Sequence, residues 1–273
     1  MTTTSTSDVR RVVLVMGTVV SIDVRRVADR EAALAAVATA TAWLHRVDDL
    51  LSTYKPESAL SRLRRGELIP ADGPPELAEA LTLGRRCQLR TGGAFDLAWR
   101  GDRRPDPTGV VKGWAAEHAS RLLASAGFGH HAVNAAGDVR LRGRPVDDRL
   151  WSVGIAHPHA PGRLVAVVPA TDAGVATSGT AERGDHVIDT RTGQPSLAVA
   201  SATVVGPDLG PADGYATAAV SCGWDAVPLL EGLDAEGWSS LLVGANGRIW
   251  TSPGFRGDVH PDGILPEPGG HGG

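Results

Sequence analysis

The sequence predicts an α+β protein in which mixed or antiparallel sheets pack with helices, as one large domain or two tightly joined lobes. Apolar residues recur at three- and four-residue steps in the first half of the chain. After Ala132 the pattern changes to short β-like runs separated by Gly, Pro and Asp turns. Helices therefore cluster early and strands late, which disfavours a regular βαβ repeat. At 273 residues, 42% hydrophobic and 21% charged, the chain can bury a core, and no break in composition marks a linker.

The elements follow in order. Residues 1–10 begin Thr/Ser-rich and are expected to fray, leaving a folded domain over 11–257 and a Pro/Gly-rich tail over 258–273. Val12 to Val24 reads as an extended pair interrupted by Met16-Gly17-Thr18. From Asp29 a helix is predicted on Leu34, Val37, Thr41, Leu44, Val47 (or Asp48) and Leu51. A second runs from Pro74-Pro75 to Gly92, with Pro near its start and Gly past its end. A third covers Val110 to about Ala126. Strands are expected at Ala132–Leu141, Trp151–Ile155, Leu164–Val168, Val175–Ser178 and Ser201–Gly206, with a helix over Ala212–Trp224. Ser239–Ile249 contains Asn246-Gly247, a strong hairpin signal.

Composition excludes several classes of function. Lys plus Arg is 27 and Asp plus Glu 31, for a net charge of −4, so the basic excess of a nucleic-acid binder is missing. Two cysteines, Cys87 and Cys222, supply neither a disulfide framework nor a CxxC pair. No apolar stretch approaches a membrane span, and MTTTSTSDVRR does not read as a secretion signal, so a soluble cytoplasmic protein is expected. Gly (34) and Pro (18) make up nearly a fifth of the chain, above the average of roughly 12%. Without a Gly-X-Y period, that excess marks turns and close backbone approaches.

Some residues point to chemistry. Asp213 and Thr217 sit four apart, so on a helix a carboxylate and a hydroxyl project from one face and could share a hard cation. The same spacing fits a capping Asp and a back-bonded Thr, the commoner arrangement. Asp106 and Lys112 bracket a Gly-containing turn into the third helix, where a helix start and a cation can face an anion. GVVKG lacks the GK[ST] ending of a phosphate-binding P-loop. Tyr54 stands in a polar loop, where it could offer a flat surface to a ring system, while Phe95 by itself reads as core. The tryptophans read as packing. His130, His131, His157 and His159 have metal-like spacing but no carboxylate beside them in sequence.

Six segments, taken together and in this order, resemble the FAD:protein FMN transferase (ApbE) family. They are Met16-Gly17-Thr18, LSTYKPESALSRL from Leu51, GGAFD from Gly92, DPTGVVKGWAAEHA from Asp106 running on to VNAAGDV at Val133, ATSG…HVIDTRTGQP from Ala176, and ADGYATAAVSCG from Ala212. The resemblance spans about residues 12 to 250 and implies a two-lobed single domain. It implies Mg²⁺ as cofactor and FAD as substrate, with Gly109, Asp213, Ala216 (through its backbone) and Thr217 at the metal. It places Met16, Tyr54, Ala94, Phe95, Asp96, Asp106, Lys112, Ser178 and Ile188 around FAD, and His186 as the base. The implied activity moves FMN to a Ser or Thr hydroxyl of an acceptor flavoprotein with release of AMP. FAD pyrophosphatase activity and a non-catalytic flavin-binding module are the alternatives. Ala135-Ala136-Gly137 stands where the family usually carries a glycine pair.

Overall fold

The computed structural model describes residues 7–102, 104–179, 188–190 and 192–265. Strands β1 (Ser7–Val15) and β2 (Thr18–Val27) form a hairpin closed by Met16-Gly17, both at positive φ (55° and 69°). Two consecutive positive-φ residues match the right-handed twist of the strands they join. Asp29 caps α1 (Arg30–Leu51) by accepting from the Ala32 amide at 3.0 Å. The buried stripe of α1 runs through Ala33, Val37, Ala40, Leu44, Val47 and Leu51, so Leu34, expected in it, lies on the exposed side. Helices α2 (Ala59–Arg65), α3 (Pro75–Arg90) and α4 (Thr108–Ser125) complete the first half.

The run Ala132–Leu141, expected as one strand, is a hairpin of β3 (His131–Ala135) and β4 (Asp138–Arg142). Its two-residue loop is Ala136-Gly137, again at positive φ (54° and 92°). Then follow β5 (Trp151–Ala156), β6 (Leu164–Ala170), β7 (Gly174–Gly179), β8 (Ile188–Asp189), β9 (Gln194–Pro195) and β10 (Val199–Gly206). The chain continues through α5 (Leu209–Cys222), α6 (Val227–Asp234), β11 (Ser239–Gly244), β12 (Ile249–Thr251) and β13 (Asp258–Ile264).

Two boundaries need correction. Residues 7–10, expected to fray, belong to β1, and Asp8 pairs with Arg25 of β2 at 2.6 Å. The stretch from 258 to 264, expected as tail, is β13, which pairs with β6 at the edge of a three-stranded sheet. Pro261 and Gly263 suggested a loop, but an edge strand tolerates both because its outer side needs no ladder donors.

The main sheet is antiparallel throughout, in the order β1-β2-β3-β4-β7-β10-β11-β12. The period of two assigns its faces. Val133, Ala135, Ala176 and Leu242 point to a core shared with the helices. Their neighbours Ala132, Val175, Leu241 and Val243 point to a second core under the β13-β6-β5 sheet, around Trp151, Val153 and Ile155. The early helices and late strands thus meet on one shared sheet. Among the described residues no helix is long and apolar enough to cross a membrane.

The helix-facing row of β4 is charged rather than apolar. Asp138 pairs with Lys112 at 2.9 Å, and Arg140 and Arg142 pair with Glu117 at 3.0 and 3.3 Å. Beside them, fully buried His131 donates from Nδ1 to the Phe128 carbonyl at 2.6 Å and accepts at Nε2 from the Ser120 hydroxyl at 2.7 Å. Burial pushes this imidazole down from 6.5 to about 4. The unfolded chain therefore takes up a proton near pH 6.5 that the folded chain refuses until about pH 4. Stability from this residue is full above pH 6.5 and falls as the pH drops to 4, by roughly 3 kcal/mol. Urea midpoints measured from pH 7.5 to 4.5 should show this slope, and His131→Gln should flatten part of it. Ala136→Gly should raise stability by about 1 kcal/mol, because a left-handed alanine carries that strain. Thermal unfolding should shift upward by about 2–4 °C.

Candidate active site

A cavity of about 840 Å³ opens at one end of the main sheet, within the usual size of a small-molecule site. Met16 of the β1–β2 turn, the C-terminal end of α1, residues 94–96, 99 and 100, the start of α4, and Thr217 and Ser221 of α5 line it. Met16 is held in the left-handed region, which a branched or long side chain avoids unless its surroundings demand it. Its side chain lies in the cavity wall.

The close crossing of α4 and α5 builds the floor. A Cβ on Gly113 would stand 2.6 Å from the Leu209 carbonyl oxygen and 2.8 Å from the Asp213 Cβ. Only glycine permits that approach. The Gly113 amide donates to Asp213 Oδ2 at 3.0 Å across the gap. One turn along α5, Thr217 Oγ1 lies 3.4 Å from the Gly109 carbonyl and 3.2 Å from the Ser178 hydroxyl. Asp213 is 1% exposed and Ala216 is fully buried with its side chain in the core. Of the residues expected at a metal, Gly109 and Thr217 face the cavity, while Asp213 stands behind them against α4.

Lys112 lines the cavity and is anchored by Asp138 Oδ2, whose other oxygen accepts from the Thr177 amide at 3.1 Å. One carboxylate thus fixes the lysine to both β4 and β7. Asp106 is fully buried: Oδ1 accepts from the Thr108 amide at 3.1 Å and Oδ2 from Arg100 Nε at 2.6 Å. Asp106, expected to face a ligand, lines the cavity and is also committed to the helix start and to Arg100. Asp96 caps its own turn, accepting from the Ala98 amide at 2.9 Å and Gln88 Nε2 at 2.6 Å. Ala94 and Phe95 are buried in the wall, and Tyr54 stands at the rim, 93% exposed.

Ile188 also lines the cavity, and its carbonyl accepts from the Ser221 hydroxyl at 2.8 Å. Thr190 donates to the Gly93 carbonyl at 2.8 Å, tying the 188–190 segment to GGAFD. His186, two positions before Ile188, lies outside the described residues. The Cys87 thiol beneath this wall is pushed up to about 12 by burial and by the Asp213 charge, so it stays protonated and non-nucleophilic. Sequence reasoning missed Trp99, Arg100, Asp138 and Ser221. Trp99-Arg100 carried a signal, since a tryptophan in a polar, Gly-containing loop after GGAFD is poorly placed for packing. The His157 and His159 rings go to backbone instead, donating to the Pro261 and Gly244 carbonyls at 3.0 and 2.9 Å.

The cleft thus combines aromatic side chains with a fixed lysine, an arginine and a helix start. The chain belongs to the ApbE family, whose model matches residues 16–102 and 101–236. It is 26% identical to the FAD:protein FMN transferase of Salmonella typhimurium, over 87% of this chain and 84% of that one. It is 32% identical to the protein of that name from Treponema pallidum, over 67% and 57%. Among solved structures, the ApbE protein of Thermotoga maritima superimposes with a TM-score of 0.79 at 20% identity, covering 90% and 97% of the two chains. The flavin transferase ApbE of Vibrio cholerae gives 0.76 at 22%, covering 91% and 98%.

Gly113→Ala should destabilise the chain by about 1–3 kcal/mol in chemical denaturation, because the added methyl meets backbone rather than a movable side chain. Gly129→Ala, where a Cβ meets open space, should stay within about 0.5 kcal/mol of the parent.

Proposed function

We propose that this chain is a FAD:protein FMN transferase that moves FMN from FAD to a Ser or Thr hydroxyl of an acceptor protein, with release of AMP. The observation that carries the reading is the grouping of Gly109, Lys112 and Thr217 on the floor of one cavity whose walls include Met16, Phe95 and Ile188. Membership of a family whose relatives are named for this activity supports it.

The donor set fits Mg²⁺. The Gly109 carbonyl and Thr217 hydroxyl are both oxygen ligands, and their 3.4 Å separation is close to the ~3 Å edge of a magnesium octahedron. Asp213, one turn away, would add the carboxylate, and Ala216 offers backbone only. Bound there, the cation would neutralise charge on the phosphate oxygens. Lys112, held by Asp138, would position the pyrophosphate. The acceptor oxygen bonds to the FMN-side phosphorus as the bond to the AMP oxygen breaks, and His186 takes the hydroxyl proton. Tyr54 and Phe95 would bound the flat ring systems. We place this activity in the cytoplasm, consistent with too few cysteines for a disulfide framework.

Protein incubated with FAD, Mg²⁺ and a candidate acceptor should raise the acceptor's mass by one FMN. FMN and AMP without an adduct would instead identify a pyrophosphatase, and no turnover a binding module. Asp213→Ala should cut transfer by on the order of 100-fold, and excess EDTA should abolish it. His186→Ala should cost at least about 100-fold at neutral pH. Full activity in either variant would remove the role assigned to that residue.

A further inference from the structure

Arg100 is the cavity-lining cation that neither the resemblance nor the family match assigns. It belongs to the loop between GGAFD and α4, and the two stretches of the family match meet at residues 101–102, directly after it. Three observations define its state. Its Nε donates to Asp106 Oδ2 at 2.6 Å, and Asp106 is fully buried. Its guanidinium lies over the Trp99 ring, 4.4 Å from the ring centroid. Its side chain is 40% exposed, and both it and Trp99 line the cavity.

A guanidinium held by one edge and one face is oriented before any ligand arrives. Its two terminal nitrogens form the planar fork that matches phosphate oxygens. Asp106 also accepts from the Thr108 amide, so the same carboxylate ties the arginine to the first residue of α4. The fork therefore sits beside the start of the helix that carries Gly109 and Lys112.

We propose that Arg100 binds the phosphate chain of the dinucleotide, and that Trp99 and Asp106 are its positioning residues. This deepens the transferase reading and rests on it for the identity of the ligand. One face of Trp99 is covered by Arg100, so on that side the pair presents a charged fork rather than a bare stacking surface. Phosphate, not the flavin ring, is the matching chemistry.

The test is equilibrium binding by the intact protein of FAD, ADP and riboflavin, each used as a separate probe. Arg100→Ala should weaken FAD and ADP by about 10- to 100-fold and leave riboflavin within twofold. Arg100→Lys should recover only a small part of the loss, because an ammonium lacks the fork. Removing Arg100 takes a partner from buried Asp106, so a second variant is needed. Trp99→Leu keeps the Arg100–Asp106 pair and should weaken ADP several-fold, with a folded-state circular dichroism spectrum as control. Unchanged ADP binding in both Arg100→Lys and Trp99→Leu would overturn the proposal, as would an equal loss of riboflavin. The transferase reading fails separately: a parent protein that binds ADP through Arg100 yet never flavinylates an acceptor would retain this site and lose that activity.

Discussion

The contact on which the site depends is the one between the Gly113 amide and the Asp213 carboxylate. It exists because α4 and α5 approach until backbone meets backbone, which the missing Cβ of Gly113 allows. The spacing of every oxygen on the cavity floor follows from it. Gly109 is one turn from Gly113 and Thr217 one turn from Asp213, so closing one rung of the crossing closes the next at 3.4 Å. A Cβ on Gly109 would also strike the Phe95 ring at 2.8 Å, so the same helix face admits the GGAFD segment. A single constraint on backbone distance thus sets the floor and the nearest wall.

Charge behind the floor does a second job. β4 turns Asp138, Arg140 and Arg142 toward α4, where an apolar row would pack at lower desolvation cost. Such a row specifies register, since sliding α4 by one turn would leave buried charges unmatched. It also fixes Lys112: Asp138 holds its ammonium from below and holds the Thr177 amide where the β4–β7 ladder has run out. Rigidity in the sheet is carried to the one lysine in the cavity wall.

Most of the α+β architecture was readable from periodicity: α1, α3, α4, α5 and the strands β1, β2, β7, β10 and β11 lie close to where apolar spacing and turn residues put them. The failures have physical causes. β13 was hidden because Pro and Gly on an edge strand look like a tail. The β3–β4 turn was hidden because Ala136 occupies a backbone conformation that usually advertises itself as glycine or asparagine. Helix α2, seven residues whose apolar contribution comes from Ala59, Leu60 and Leu63, is too short for periodicity to register. At the site, spacing alone could place Asp213 and Thr217 on one helix face but not say what lay opposite. Long-range partners such as Asp138 for Lys112 carry no local signal.

The electrostatic balance of the cavity bears on what it can hold. Each fixed cation there already has a carboxylate: Lys112 has Asp138, and Arg100 has Asp106. Arg64, 3.8 Å from Asp106, is bound to Asp102 at 2.6 Å. Asp213 adds a further negative charge a turn behind the floor. The site is therefore oriented but not strongly positive. A pyrophosphate brings negative charge of its own, so two pre-paired cations would align it without neutralising it. Oriented donors lower the cost of reorganisation, whereas net charge must come from elsewhere. If the chain is the proposed transferase, the oxygen pair of Gly109 and Thr217 would hold the divalent cation that supplies it.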